Sequence, residues 1–406
     1  MPHDIVRLRN GLRLIHKETD SPISHFGVLV NAGTRDESSA QMGLAHFVEH
    51  TIFKGTEKRN AYRVISRMEA VGGDLNASTS KEETYFHTSF LSKEYSRAVE
   101  LLSDIFFHAT FPEKELEKEK TVVLEEINYY QDSPAELIFD DFEDMVFSGH
   151  PLGKNILGTK KSVMKMTRQG ILDFIRQNYT LDNIVLASVG NISLKRLVSL
   201  CEKHFGGYDI ANTPRPRTKF EDYKPTTRLI HKKNAQTNVI LGNIAYSIKE
   251  DKRAPFLLMT NMLGGQGQNT RLNMSVREKK GLAYAIEANY TPFSDIGLFS
   301  VYFGCDPHNR EHCVDLIYQE LKKMREQKLG TMQLYYAKQQ FIGQLNLSYE
   351  PKLNEMLSIG HTALFFDEVD TIEESLDEIR DITADEIIEV ANEVLRPDAF
   401  SMLTFE

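Results

Sequence analysis

Tryptophan is absent from this 406-residue chain, and cysteine occurs only three times, as Cys201, Cys305 and Cys313. Three thiols cannot all pair, and their spacing matches no thiolate metal motif, which excludes a disulfide scaffold and a cysteine-bound metal. Free thiols suit a reducing compartment, so the cytoplasm is the expected location. No stretch approaches the roughly 18 apolar residues that a membrane span requires, and Met1-Pro2-His3-Asp4 opens into a charged, alternating segment instead of an apolar signal core. No membrane partner is expected. A dense Lys/Arg block is missing too: the formal net charge is -10, and phosphate backbones are bound by clustered positive charge, so nucleic acid is not an expected partner. What remains is an ordinary globular composition on a chain long enough for two cores.

The chain repeats itself. Arg13-Leu14-Ile15-His16-Lys17 recurs letter for letter as Arg228-Leu229-Ile230-His231-Lys232, an offset of 215. In the same register the amphipathic stretch that starts at Ser96 falls on the one that starts at Glu311, with apolar positions largely over apolar positions. One position further on, Thr167 to Asp182 falls on Thr383 to Asp398. Several segments in one register point to a duplicated domain of about 200 residues. The expected domains are 1–210 and 228–406. Between them lies a linker, 211–227, carrying Pro214, Pro216 and Pro225 among charged residues.

Within each copy the periodicity alternates. Ile5 to Lys17 reads as a hairpin about Asn10-Gly11, and His25 to Ala32 as a strand. Met42 to Phe53 has helical spacing, Asn60 caps a second helix, and Leu75 to Ser80 with Glu83 to Leu91 alternates as a strand pair. Helical patterns then occupy Glu94 to His108, Pro112 to Gln131 and Ser133 to Phe147. Elements in blocks predict an α+β class, with two homologous domains, each a largely antiparallel sheet packed with helices.

The first copy holds the sequence His46-Phe47-Val48-Glu49-His50. On a helix, residues four apart share a face, so His46 and His50 can offer two imidazole nitrogens to one ion. Glu49 lies beside them, placed to take a proton from a water that the metal makes acidic. A third protein ligand is best sought on the helix from Glu115 to Ile127. Glu119 and Glu126 are two turns apart on one face there, and Glu125 points about 100° away. Taken alone, carboxylates on this helix read as a charged surface, as they are in most proteins. His87, His108 and His150 read as structural.

The inverted order His-x-x-Glu-His, with Glu126 and Glu119 at these distances and Gly72-Gly73-Asp74-Leu75-Asn76-Ala77 between, resembles the pitrilysin/insulinase family of zinc peptidases, and the likeness covers essentially the whole chain. The resemblance implies one Zn2+ per chain on His46, His50 and Glu126. It further implies that Glu49 is the general base, Glu119 a support behind the ligands, and Asn76 and Ala77 contacts for a substrate strand. It also implies hydrolysis of unfolded peptides by a zinc-activated water. Removal of leader peptides and a non-catalytic binding subunit are the alternatives, and the zinc motif is complete, unlike that of non-catalytic members.

The second copy keeps the pattern without the metal set: position 46 corresponds to Asn261 and Glu126 to Gln344. Gly264-Gly265-Gln266-Gly267 lacks the Gly-Lys-Ser/Thr ending of a phosphate loop and reads as a turn into a helix. Arg277 and Tyr284, seven residues apart, resemble the family's substrate-side pair; both are donors able to hold a polarised carbonyl. In longer relatives the zinc and this pair lie in different halves. A chain the length of one half that carries both implies a homodimer whose partner completes the active site.

Overall fold

The computed structural model describes residues 3–212, 216–232, 236–366 and 368–406. Met1-Pro2 and the expected linker's Pro214 lie outside the described residues. The chain forms two compact units: Met1–Asn128 with Lys154–Arg217 and Leu347–Thr371, and Tyr129–Gly153 with Thr218–Asn346 and Ile372–Glu406.

The first unit is built on a six-stranded sheet in the order Val6–Arg7, Arg13–Glu18, Ile184–Gly190, Ile23–Val30, Thr84–Leu91, Asn76–Thr79. Its neighbours are antiparallel except Arg13–Glu18 beside Ile184–Gly190, which run parallel. The second unit has five strands in the order Thr227–Ile230, Ser401–Phe405, Thr237–Ala245, Gly297–Cys305, Ala283–Pro292. It too has one parallel pair, Thr227–Ile230 with Ser401–Phe405. The repeated Arg-Leu-Ile-His-Lys segments thus lie on corresponding strands of the two sheets, each beside the strand that follows the Thr167 or Thr383 segment. The α+β class, with largely antiparallel sheets and helices, is what the structure has.

The central strands carry apolar residues on both faces, and both faces are covered. Ile184–Gly190 and Gly297–Cys305 are buried at every position. A strand loses its alternation when neither side meets water. The covering helices explain why the units are not contiguous in sequence, as the boundaries 1–210 and 228–406 had it. Helix Pro134–Val146 packs Ile138 and Phe142 onto Ile240, Leu403 and Phe405 of the second unit. Helix Lys352–Phe365 packs Met356, Ile359 and Ala363 onto Ile15, Leu29 and Ala187 of the first. Each is the third long helix after the strand pair of its own copy, so the two copies have exchanged equivalent helices.

The stretch 211–227 is firmly held where it is described, unlike a free tether. Arg217 lies half-buried against Asp36, whose carboxylate oxygens accept from Nε and Nη2 at 2.9 and 2.8 Å. Phe220 and Tyr223 pack on the second unit's core, and the Tyr223 hydroxyl donates to Ala399 O at 2.7 Å. Proline and charge gave this segment the composition of a linker, but one arginine and two rings give it fixed anchors.

Candidate metal centre

Helix Leu44–Ile52 buries Leu44, Phe47, Val48 and Ile52, and this apolar stripe fixes its roll against the unit's core. His46 and His50 then stack one turn apart, with their Nε2 atoms 3.2 Å from each other. Glu126 reaches them from helix Glu113–Gln131. Its Oε2 lies 3.7 Å from His46 Nε2 and 3.6 Å from His50 Nε2. Among the described residues these three form the one group of His, Cys, Asp or Glu side chains gathered closely enough to hold a metal, all ligand atoms within 4.8 Å.

The donor set fits zinc. Two nitrogens each about 2.0–2.1 Å from a tetrahedral ion stand roughly 3.3 Å apart, close to the spacing found. Glu126 Oε2 is buried with no hydrogen-bond partner among the described residues, and both rings lie beyond hydrogen-bond reach. A cation between the three would satisfy it. Burial, aided by neighbouring His50, pushes His46 down to about 3, which keeps it in the neutral, ligating form at neutral pH.

Glu119 stands behind His50, its Oε2 3.2 Å from Nδ1. Placing the ring proton on Nδ1 makes this a donated hydrogen bond and leaves the Nε2 lone pair aimed at the cluster. Lys54 fixes the other Glu119 oxygen at 2.6 Å. Glu125, by contrast, is exposed. Glu49 sits on the motif helix between the two histidines. Burial lifts its carboxyl above the usual range, opposed by the Thr79 hydroxyl and His50 and reinforced by Glu126.

Thr79 closes the short strand Asn76–Thr79, the edge of the six-stranded sheet, on which Asn76 and Ala77 pair with His87 and Phe86. Asp74 sets that register by accepting from Ser89 N at 2.7 Å. No described strand pairs with its outer side. Arg277 and Tyr284 belong to the second unit and are both exposed. Arg277 lies in a π-helical turn, Asn273–Glu278, and Tyr284 is the second residue of the edge strand Ala283–Pro292, at a break in its register. The Tyr284 hydroxyl donates to Asp306 Oδ1 at 2.9 Å, a bond that raises the phenol's pKa and keeps it a donor. Gly264 ends helix Arg253–Gly264, so the glycine run is a helix exit and turn ahead of the π-helical segment.

Two residues beside the cluster carry no sequence signature. Lys54 lies one turn beyond His50, a spacing too common to single out. Glu37 is buried, and burial pushes its carboxyl up to about 8 against the pull of the Ala45 and Gly43 N–H groups and Lys154. Its partners are six and eight residues away, outside any local capping pattern.

Comparison with known proteins gives the same family. Residues 13–160 match the insulinase (peptidase family M16) model and residues 165–341 the peptidase M16 inactive domain, in line with the missing metal set of the second copy. An uncharacterized zinc protease of Bacillus subtilis, YmxG, is 30% identical over 96% of this chain and 95% of its own length. One from Rickettsia felis is 32% identical over 96% and 94%. A protease of Helicobacter pylori shares the fold, with a TM-score of 0.91 at 21% identity over 100% of both chains. So does a peptidase M16 inactive domain protein of Pseudomonas fluorescens, at 0.92 and 19% over 100% and 98%. The chain belongs to the insulinase/pitrilysin family, peptidase family M16, as one of its half-length zinc proteases.

Proposed function

We propose that this protein is an endopeptidase that cuts unfolded oligopeptides, with zinc on His46, His50 and Glu126 and with Glu49 as general base. The observation that carries the reading is the convergence of two imidazole nitrogens and one unpartnered carboxylate oxygen beside a half-buried glutamate. Zinc, when bound, supplies a Lewis-acid position at which water loses a proton near neutral pH. Glu49 accepts that proton and passes it to the leaving amine, and its burial favours both transfers by bringing the carboxyl closer to neutrality. Glu119 holds the His50 ring in the ligating tautomer. Substrate adds as a strand to the free edge of Asn76–Thr79, where main-chain hydrogen bonds give affinity without demanding particular side chains. Arg277 and Tyr284 of a second copy hold the polarised carbonyl, which makes the working form a homodimer. The free thiols favour a cytoplasmic site of action.

The test is metal analysis together with digestion of unrelated peptides, read by mass spectrometry, for wild type and Glu49→Gln. The variant keeps the helix and all three ligands. It is expected to retain stoichiometric zinc and to lose at least about 10²-fold in turnover. Near-normal turnover by the zinc-loaded variant would remove Glu49 from the role of base. Cleavage confined to a few leader-like sequences would replace broad oligopeptide hydrolysis with processing.

A further inference from the structure

The helix that carries His46 and His50 is short, Leu44–Ile52, and its first residue of support is a glycine. Gly43 occupies the N-cap with φ 85° and has no side chain to accept from the helix's free N–H groups. A nine-residue helix with an open first turn frays from that end, and His46 lies in that turn. The missing acceptor comes from a distance. Glu37 Oε2 accepts from Gly43 N and Oε1 from Ala45 N, both at 2.8 Å, with the carboxyl group buried at the start of the helix.

The segment that delivers Glu37 is itself fixed at every step. Gly33 N donates to Asp36 Oδ2 at 2.9 Å, and Asp36 is gripped from the other side by Arg217. Thr34 N donates to Ser80 O at 3.2 Å and Arg35 N to Lys81 O at 2.7 Å. Arg35 Nη1 donates to Glu82 Oε1 at 2.6 Å, with both side chains buried. Ser80 to Glu83 is the turn joining Asn76–Thr79 to Thr84–Leu91. Residues 33–37 therefore bridge the turn of the edge-strand hairpin to the start of the motif helix.

We propose that Glu37 is a positioning residue of the zinc site: it supplies from outside the helix the cap that holds His46 and His50 in ligating geometry, and its loop ties that helix to the hairpin bearing Asn76 and Ala77. This rests on the ligand assignment proposed above. The experiment measures zinc affinity by chelator competition and records the absorption spectrum of the Co2+-substituted protein for wild type, Glu37→Gln, Glu37→Asp, Asn60→Ala and His46→Ala. Asn60 caps the next helix, Ala61–Glu69, by accepting from Arg63 N at 3.0 Å, and serves as a control for the loss of a cap as such. Glu37→Gln turns one acceptor into an N–H2 facing an N–H, and is expected to weaken zinc binding about 10–100-fold and shift the Co2+ spectrum, while Asn60→Ala lowers thermal stability with zinc affinity unchanged. Should Glu37→Gln fail to fold, Glu37→Asp keeps the carboxyl group but spans only one of the two N–H groups, and its weakened affinity carries the same conclusion. Zinc affinity within about twofold of wild type in the folded Glu37 variants, or an equal loss in Asn60→Ala, overturns the proposal. Undiminished affinity in His46→Ala would instead overturn the ligand assignment, a result separable from an intact ligand set indifferent to Glu37.

Discussion

At the scale of single residues, helical geometry divides neighbours. Glu125 and Glu126 are adjacent in sequence and chemically identical, yet one is exposed and the other faces two imidazoles at 3.6–3.7 Å. The 100° step of the helix is the whole difference. Glu126→Gln is expected to lower zinc retention about 10-fold or more, whereas Glu125→Gln leaves it unchanged; dialysis followed by metal analysis reads both. Equal zinc content in the two would move the third ligand elsewhere. His46, Glu49 and His50 were legible in the sequence because four-residue spacing and a two-ligand face are local properties. Glu37 was not legible, because its partners lie across a loop whose path only the fold determines.

At the scale of elements, the helix Lys352–Phe365 approaches its sheet closely. A Cβ on Gly360 would meet Leu29 Cδ2 at 2.6 Å and Ala187 Cβ at 2.9 Å, so the absence of a side chain sets the distance between the layers. Lys17 and Lys352 pair with Glu355, and His361 Nδ1 contacts Glu83 Oε1 at 2.8 Å, fixing both ends of the helix to the first unit. Gly360→Leu is expected to destabilise the protein by about 1–3 kcal/mol through overpacking, despite leucine's better helix propensity. Urea denaturation measures it; an unchanged midpoint would mean that the helix can lift without cost. Helical periodicity predicted its counterpart Pro134–Val146, and the same 3.6-residue spacing of buried positions runs through Lys352–Phe365. Neither pattern says which sheet a helix covers, since an apolar stripe fits any apolar face of the right shape.

At the scale of the whole molecule, the exchanged helices make the sequence halves interdependent. A fragment of residues 1–210 lacks Met356, Ile359, Ala363 and Leu364, which cover Ile15, Leu29, Val185, Ala187 and Val189 of its sheet. Such a fragment is expected to bind a hydrophobic dye and show no cooperative melting; a sharp, cooperative transition would show that the first sheet can do without its cover. The proposed homodimer has its own test. Glu49→Gln and Tyr284→Phe should each be poorly active alone, and mixing with subunit exchange should restore up to about a quarter of wild-type activity, since half of random dimers are mixed and each mixed dimer has one intact site. Exchange verified by mass spectrometry without recovery would overturn the homodimer, leaving the site within one chain or completed by a different partner. By itself the sequence determined the internal repeat, the α+β class, the family and the His-x-x-Glu-His face, because repeats, periodicity and helical spacing are written along the chain. Only the tertiary structure decided that the domains trade helices, that Arg217, Phe220 and Tyr223 anchor the intervening stretch, and that Glu37 caps the motif helix. Those depend on which distant surfaces meet, and burial and hydrogen-bond satisfaction across a core are fixed by packing rather than by neighbours in sequence.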